Sequence, residues 1–284
     1  MNLSEIKIVF MGTPNFAVPT LIKLMEAKYN IVGVITQPDK PVGRQQTLTP
    51  PPVKVLAEKN NLPIYQFDKI NPATVEEIKS LKPDLIIVGA YGKILPPALL
   101  VIPQRGCLNI HPSLLPKYRG ASPIQTAILN GDDKTGVSII ELDEELDHGP
   151  IIAQEVFEIL NDDTYESLSD NLACEGAEML INILPDYLAG RLTGREQNHS
   201  EVTKTKILTK EDGRIDWKNS AESIDCQIRA FYPWPGAWCE VEEKKVKILK
   251  AHLKSEQLVI NKIQPAGKEP MEYEDYLNGN KPLV

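Results

Sequence analysis

Gly106-Cys107-Leu108-Asn109-Ile110-His111-Pro112-Ser113-Leu114-Leu115-Pro116-Lys117-Tyr118-Arg119-Gly120-Ala121-Ser122-Pro123-Ile124-Gln125 begins as a strand and stops being one at Pro112. Asn109 and His111 are two apart, so on a strand both side chains project from one face. Asn109 offers an amide donor, and His111 offers a ring that gives or takes a proton near neutral pH. Pro112 and Pro116 forbid regular ladder bonding and shape a loop. An acid would complete a proton-transfer set. Asp147 supplies one in Leu146-Asp147-His148-Gly149-Pro150, where a turn meets an apolar run. Taken singly, each residue has a plainer reading. A histidine at a strand end is ordinarily a satisfied structural residue, an aspartate close to a glycine a turn residue, an asparagine a cap or a bulge.

Outward from this stretch the chain alternates strands and helices. Residues 6–11 are a short apolar run, read as a buried strand, and Gly12-Thr13-Pro14 breaks it. Apolar positions then recur at helical spacing over 15–28, with Asn15 as a candidate N-cap, and 31–36 is a second strand. That is a βαβ unit. The Gly-Thr-Pro turn is not GxGxxG and carries no Walker lysine, so nucleotide binding is not expected there. Residues 37–52 read as a long Pro/Gly/Thr-rich loop holding Lys40 and Arg44. Helices follow at 51–60 and 72–81, and strands at 62–66 and 84–89. The last of these leads into Ala90-Tyr91-Gly92, at the strand end where open α/β sheets bind ligands. Ser122 with Pro123 opens a helix to about 130. Strands at 136–142 and 151–159 flank the Asp147 loop, and a long helix runs from 164 to about 190. Residues 191–206 are polar and aperiodic and read as a linker, with His199 exposed in it. Residues 207–284 hold one helix (221–230) and short strands at 237–241, 246–253 and 258–264. The expected architecture is therefore α/β: a mostly parallel Rossmann-like sheet domain over 1–190, then a small β-rich domain over 207–284.

At 284 residues, 42% hydrophobic and 25% charged, the composition is that of a globular protein. No apolar run approaches 18 residues, and the first residues lack a basic-then-apolar signal, so the expectation is a cytoplasmic chain with no membrane span. Four scattered cysteines without a CxxC pair suggest reduced thiols, and four histidines without ligand spacing give no expectation of a metal. The net charge of −8 lies wholly in residues 1–199, while 200–284 are neutral. A nucleic-acid partner would need a local basic surface.

Asn109-x-His111-x-Ser113-Leu-Leu-Pro116-x-Tyr118-Arg119-Gly120, followed by Leu146-Asp147-x-Gly149, resembles the signature of the formyltransferases that use 10-formyltetrahydrofolate. Residues 10–19, 36–44, 208–217 and 228–237 are similar to the branch that formylates charged initiator tRNA, and the match spans nearly the whole chain. The resemblance implies transfer of the formyl group of 10-formyltetrahydrofolate to the amino group of methionyl initiator tRNA, with no metal, by a monomer. It implies catalysis by Asn109, His111 and Asp147. It gives folate contacts to Ser113, Leu114, Leu115, Pro116, Tyr91 and Gly92, and tRNA contacts to Arg44 and Lys40. Arg119-Gly120 is expected near substrate. It also implies an OB-like C-terminal domain, here shortened by roughly two strands, and a weaker phosphate grip where Gln45-Gln46-Thr47 replace lysines common in the family. Two alternatives stay open. One is a formyltransferase acting on a small amine, such as an amino sugar nucleotide or a glycinamide nucleotide. The other is a non-catalytic tRNA- or folate-binding protein.

Overall fold

The computed structural model describes residues 5–43 and 45–283. The chain divides into two compact units. One is built from Met1–Arg119, Gly136–Val156 and Asp170–Lys204; the other from Gly120–Thr135, Phe157–Ser169 and Thr205–Val284. Segments from the middle of the chain thus belong to the C-terminal unit, and residues 191–204, expected as a linker, are built into the first.

Among the described residues the first unit centres on a seven-stranded sheet of order β5-β2-β1-β6-β7-β8-β9. Its strands are β1 (Lys7–Gly12), β2 (Asn30–Thr36), β5 (Ile64–Gln66), β6 (Leu85–Gly89), β7 (Cys107–His111), β8 (Lys134–Glu141) and β9 (Ile151–Glu158). β5, β2, β1, β6 and β7 run parallel. β8 turns antiparallel to β7, with His111 opposite Ser138. The near-continuous apolar runs of β1 and β6 follow from their central places, since a parallel sheet covered on both faces buries every side chain. The helices obey their sequence signals. α1 (Val18–Glu26) has Pro19 in its first turn and buries Leu21 and Leu24. The Asn71 side chain caps α3 (Pro72–Ser80) by accepting from Thr74 N at 3.0 Å. α2 (Pro52–Lys59) and α6 (Tyr165–Leu188) lie close to where the periodicity places them. Asn15 opens a single 3₁₀ turn ahead of α1 rather than capping it.

Residues 37–52 are not all loop. β3 (Lys40–Val42) and β4 (Thr47–Thr49) form a small antiparallel hairpin, with Lys40 opposite Thr49. Val42 and Leu48 are 55% and 65% exposed, so no inward-outward alternation marks these strands. Arg44 lies outside the described residues.

In the second unit, α7 (Ala221–Ala230) is capped by Ser220, which accepts from Ser223 N at 3.2 Å. It packs on a four-stranded antiparallel meander: β10 (Ala237–Val241), β11 (Lys244–Lys254), β12 (Gln257–Pro265) and β13 (Met271–Glu272). Ile224, Ile228, Ala237, Val246, Ile248 and Ile263 form its core. Among the described residues these four strands do not close into a barrel. The outer side of β10 is met by Arg214, bridged to Trp238. Ser122 does not cap α5 (Pro123–Leu129); its hydroxyl donates to the Lys206 carbonyl instead, at 2.6 Å.

All four cysteines are free thiols. Burial pushes the Cys107 thiol up to about 12 and Cys239 up to about 11, whereas Cys174 is exposed on α6. Since only thiolates alkylate readily, iodoacetamide at pH 8 should label Cys174 in the native protein and reach Cys107 and Cys239 only after denaturation. Mass-spectrometric mapping of the adducts checks this.

Candidate active site

The carboxyl ends of β1, β6 and β7 are aligned, with Gly12 opposite Gly89 and Gly89 opposite Ile110. The chain order reverses between β1 and β6, which makes the region beyond these strand ends the place where open α/β sheets bind ligands. Three loops border it. Tyr91-Gly92 follows β6, 112–119 follows β7, and 142–150 joins β8 to β9.

β7 delivers Asn109, half-buried, and His111, 4% exposed, to one face. Among the described residues the Asn109 carboxamide makes no hydrogen bond, which leaves its N–H₂ available to a ligand. His111 Nε2 lies 3.0 Å from the Tyr118 carbonyl oxygen. Facing an acceptor, it carries a hydrogen. On the other side Asp147 Oδ1 stands 3.6 Å from His111 Nδ1, beyond a direct hydrogen bond and within ion-pair reach. The ring is thus bracketed by two acceptor oxygens. Asp147 is 7% exposed and sits at φ 51°, a left-handed conformation that aspartate tolerates better than most residues. The glycine two residues on has a steric reason: a Cβ at Gly149 would lie 1.9 Å from the Glu141 carbonyl oxygen.

The segment after His111 is held by a buried serine that the sequence does not single out. The Ser138 hydroxyl on β8 donates to the Ser113 carbonyl at 2.7 Å and accepts from Leu115 N at 3.2 Å and Gln154 Nε2 at 2.8 Å. Gln154 also donates to the Leu115 carbonyl at 2.9 Å, and the Ser113 hydroxyl closes the turn onto the Lys117 carbonyl at 2.6 Å. Ser113 and Leu115 are fully buried, while Leu114 and Pro116 keep some surface. Their side chains therefore divide into two that build the loop and two that can meet a ligand.

Tyr91 is a correction to the expected ligand set. Its ring is 1% exposed, in the core with Val9, Ile35, Ile78 and Leu99. Burial pushes its hydroxyl up to about 12. What Tyr91 presents is backbone: its carbonyl accepts from Thr13 Oγ1 at 3.1 Å and Gln37 Nε2 at 3.0 Å. Gly92 follows, exposed, at φ 80°, where a Cβ would stand 2.5 Å from Gln37 Nε2. Lys40 donates from the hairpin to Gln37 Oε1 at 2.7 Å. Arg119, expected to reach toward substrate, is 6% exposed, its guanidinium on Gln197 and His199. Sequence reading passes over Ser138, Gln154 and Gln197, polar residues with no motif of their own, and gives Gln37, within the 36–44 stretch, no role.

Comparison with known proteins gives the family of the chain. Residues 6–184 match the formyl transferase family, and residues 207–257 match the formyl transferase C-terminal domain. A methionyl-tRNA formyltransferase of Geobacter metallireducens is 42% identical, aligned over 94% of this chain and 86% of its own. One from a Sulfurihydrogenibium species is 48% identical over 87% of this chain and 80% of its own. Among solved structures, an N-formyltransferase of Helicobacter canadensis, bound to folinic acid and dTDP-3-aminofucose, superposes with a TM-score of 0.67 at 23% identity, over 88% of this chain and 89% of its own. The chain belongs to the formyl transferase family and, within it, to the methionyl-tRNA formyltransferases.

Ser138→Ala should leave the Leu115 amide and the Ser113 carbonyl short of a partner in the interior. The expected cost is about 1–3 kcal/mol of folding stability, read from urea unfolding. A change below about 0.5 kcal/mol, the size of a neutral surface substitution, would mean that the loop is held elsewhere.

Proposed function

We propose that this formyltransferase moves the formyl group of 10-formyltetrahydrofolate to the α-amino group of methionyl initiator tRNA. The observation that carries the reading is the juxtaposition of Asn109, His111 and Asp147 at one strand end, in a chain that aligns over 94% of its length with a methionyl-tRNA formyltransferase. The substrate amine attacks the formyl carbon, the carbonyl oxygen gains negative charge, and the bond to the folate nitrogen breaks. The amine must lose a proton and the folate nitrogen must gain one. Asn109 donates to the developing oxyanion, with protonated His111 beside it. Asp147 orients His111 and stabilises its charge. The pair is assigned the relay of protons between the two substrates, through a water at the site. An α-amino group titrates near neutrality, so no strong base is required.

The folate-derived donor is placed along 112–116 and Gly92, with Leu114, Pro116 and the backbone as contacts. tRNA is placed at the 40–49 hairpin through Lys40 and Arg44, where the resemblance puts it. We further take residues 1–190 as the catalytic domain and 207–284 as the C-terminal domain of a monomeric cytoplasmic enzyme. Among the described residues no helix is long and apolar enough to cross a membrane.

Formyl transfer should be assayed on charged initiator Met-tRNA beside charged elongator Met-tRNA and a panel of small amines. Transfer to the initiator alone is expected, and transfer to a small amine in its place would overturn the tRNA assignment. His111→Ala and Asp147→Ala should each lower turnover by about 10²-fold or more with the fold intact by circular dichroism. Near-normal turnover in either variant would sink the mechanism. Arg44→Ala should raise KM for tRNA and leave folate binding unchanged, and equal loss of both would contradict its placement.

A further inference from the structure

Residues 191–206 look like a spacer in the sequence, yet part of this segment is a wall of the site. Ile151 and Arg195 exchange two backbone hydrogen bonds of 2.8 Å, which brings the segment alongside β9. Two residues later Gln197, 4% exposed, meets the Asp147 turn. Its carboxamide nitrogen donates to the Asp147 carbonyl at 2.9 Å and to the Gly149 carbonyl at 2.8 Å. Its oxygen accepts from Arg119 Nε at 3.2 Å and Nη2 at 2.7 Å. Arg119 Nη2 also donates to His199 Nδ1 at 2.9 Å. The His199 ring stacks on that of His148, with centroids 4.3 Å apart and planes 1° from parallel. His148 Nδ1 in turn lies 2.6 Å from Asp143 Oδ2. Residues 147, 148 and 149 are therefore all held, directly or through a stacked ring, by residues 197 and 199.

Arg119 joins this system to the other side of the catalytic pair. Its own amide donates to the Thr203 carbonyl at 2.9 Å. The residue before it, Tyr118, donates its amide to Thr203 Oγ1 at 2.8 Å and offers its carbonyl to His111 Nε2. One short stretch, 118–119, thus sets the far nitrogen of His111 and anchors the residue that grips the Asp147 turn.

We propose that Gln197, oriented by Arg119, is a positioning residue for Asp147. The physical argument rests on the backbone of Asp147. At φ 51° it occupies a sparsely populated basin, which persists only where the surroundings over-determine it. A carboxamide bonded to the carbonyls on both sides of His148 does so, because rotation of either peptide breaks one of its hydrogen bonds. The aim of the carboxylate at His111 follows from that backbone. A displacement of about 1 Å at such a contact is worth roughly 10²-fold in rate. Gln197 touches no substrate in this scheme; it acts through Asp147.

The inference rests on the role given to Asp147 above, and the test separates the two. Gln197→Met keeps the side-chain volume and removes all four hydrogen bonds. It should lower kcat by about 10- to 100-fold and leave KM for folate donor and tRNA within about threefold, which is the pattern of lost alignment rather than lost binding. A residue acting only through Asp147 has nothing left to lose once Asp147 is gone. The double variant Asp147→Ala/Gln197→Met should therefore turn over within about twofold of Asp147→Ala alone. Multiplying losses would overturn the positioning role while leaving Asp147 catalytic, as would a Gln197→Met enzyme of normal kcat. Full activity in Asp147→Ala alone would overturn the role of Asp147 and the proposal with it. Should Gln197→Met fail to fold, Arg119→Lys enters the same cycle. It keeps the positive charge but cannot span the Gln197 oxygen with two N–H groups, and the same non-additivity with Asp147→Ala is expected.

Discussion

A strand that ends in a buried place still has to satisfy its polar groups, and this constraint organises the first unit. β7 stops at His111 because Pro112 cannot continue the ladder. The next residues stay largely inside, where water is not available to them. Ser138, opposite His111 on β8, supplies a donor and an acceptor at the point of departure. Gln154, one strand further out, supplies another donor. The loop then returns over the strand end, so that the Tyr118 carbonyl faces the His111 ring. The His111 imidazole is held as a by-product of solving a backbone problem.

The same economy runs through the opposite wall. Asp147 lies in a turn whose glycine is forced by contact with the Glu141 carbonyl, and whose carbonyls would be unsatisfied without a donor from elsewhere in the chain. The segment that provides one, around Gln197, also receives Arg119, a buried cation that must itself be partnered. Two needs that would each be costly alone offset one another. The result is that His111 sits on a strand end and Asp147 on a braced turn, with Asn109 half-buried on the same face of β7 as His111. These groups stand at the point where the chain order reverses, the place where open α/β sheets bind their ligands.

Much of this was legible in the sequence, for reasons that can be named. Strands at the centre of a parallel sheet are apolar throughout, and β1 and β6 announce themselves as such runs. Helices with one buried face repeat every three to four residues, which places α3 and α7, although sequence reading does not single out their caps Asn71 and Ser220. The pair Asn109 and His111 can be placed on one face because strand periodicity is two. The β3–β4 hairpin was hidden because neither face is buried, and Ser122 promised a cap it does not make because a carbonyl from a distant segment competes for its hydroxyl. Tyr91 stood at the right strand end for a ligand contact, but side-chain direction is not encoded by position along the strand alone, and its ring turns into the core.

Most local elements, the alternation of strands and helices along the chain, and Asn109, His111 and Asp147 as separate candidates were determined by the sequence itself, since propensity, periodicity and motif act over a few neighbouring residues. Only the tertiary structure decided what surrounds that trio. Asp147 meets His111 across a separation of 36 positions, Ser138 braces the loop from 25 positions away, and Gln197 reaches back 50 positions to the Asp147 carbonyl. A glutamine or a serine in a polar stretch carries no local sign of such a partner. Its hydrogen bonds are fixed by where the packed core brings distant backbone groups that must not be left unpaired.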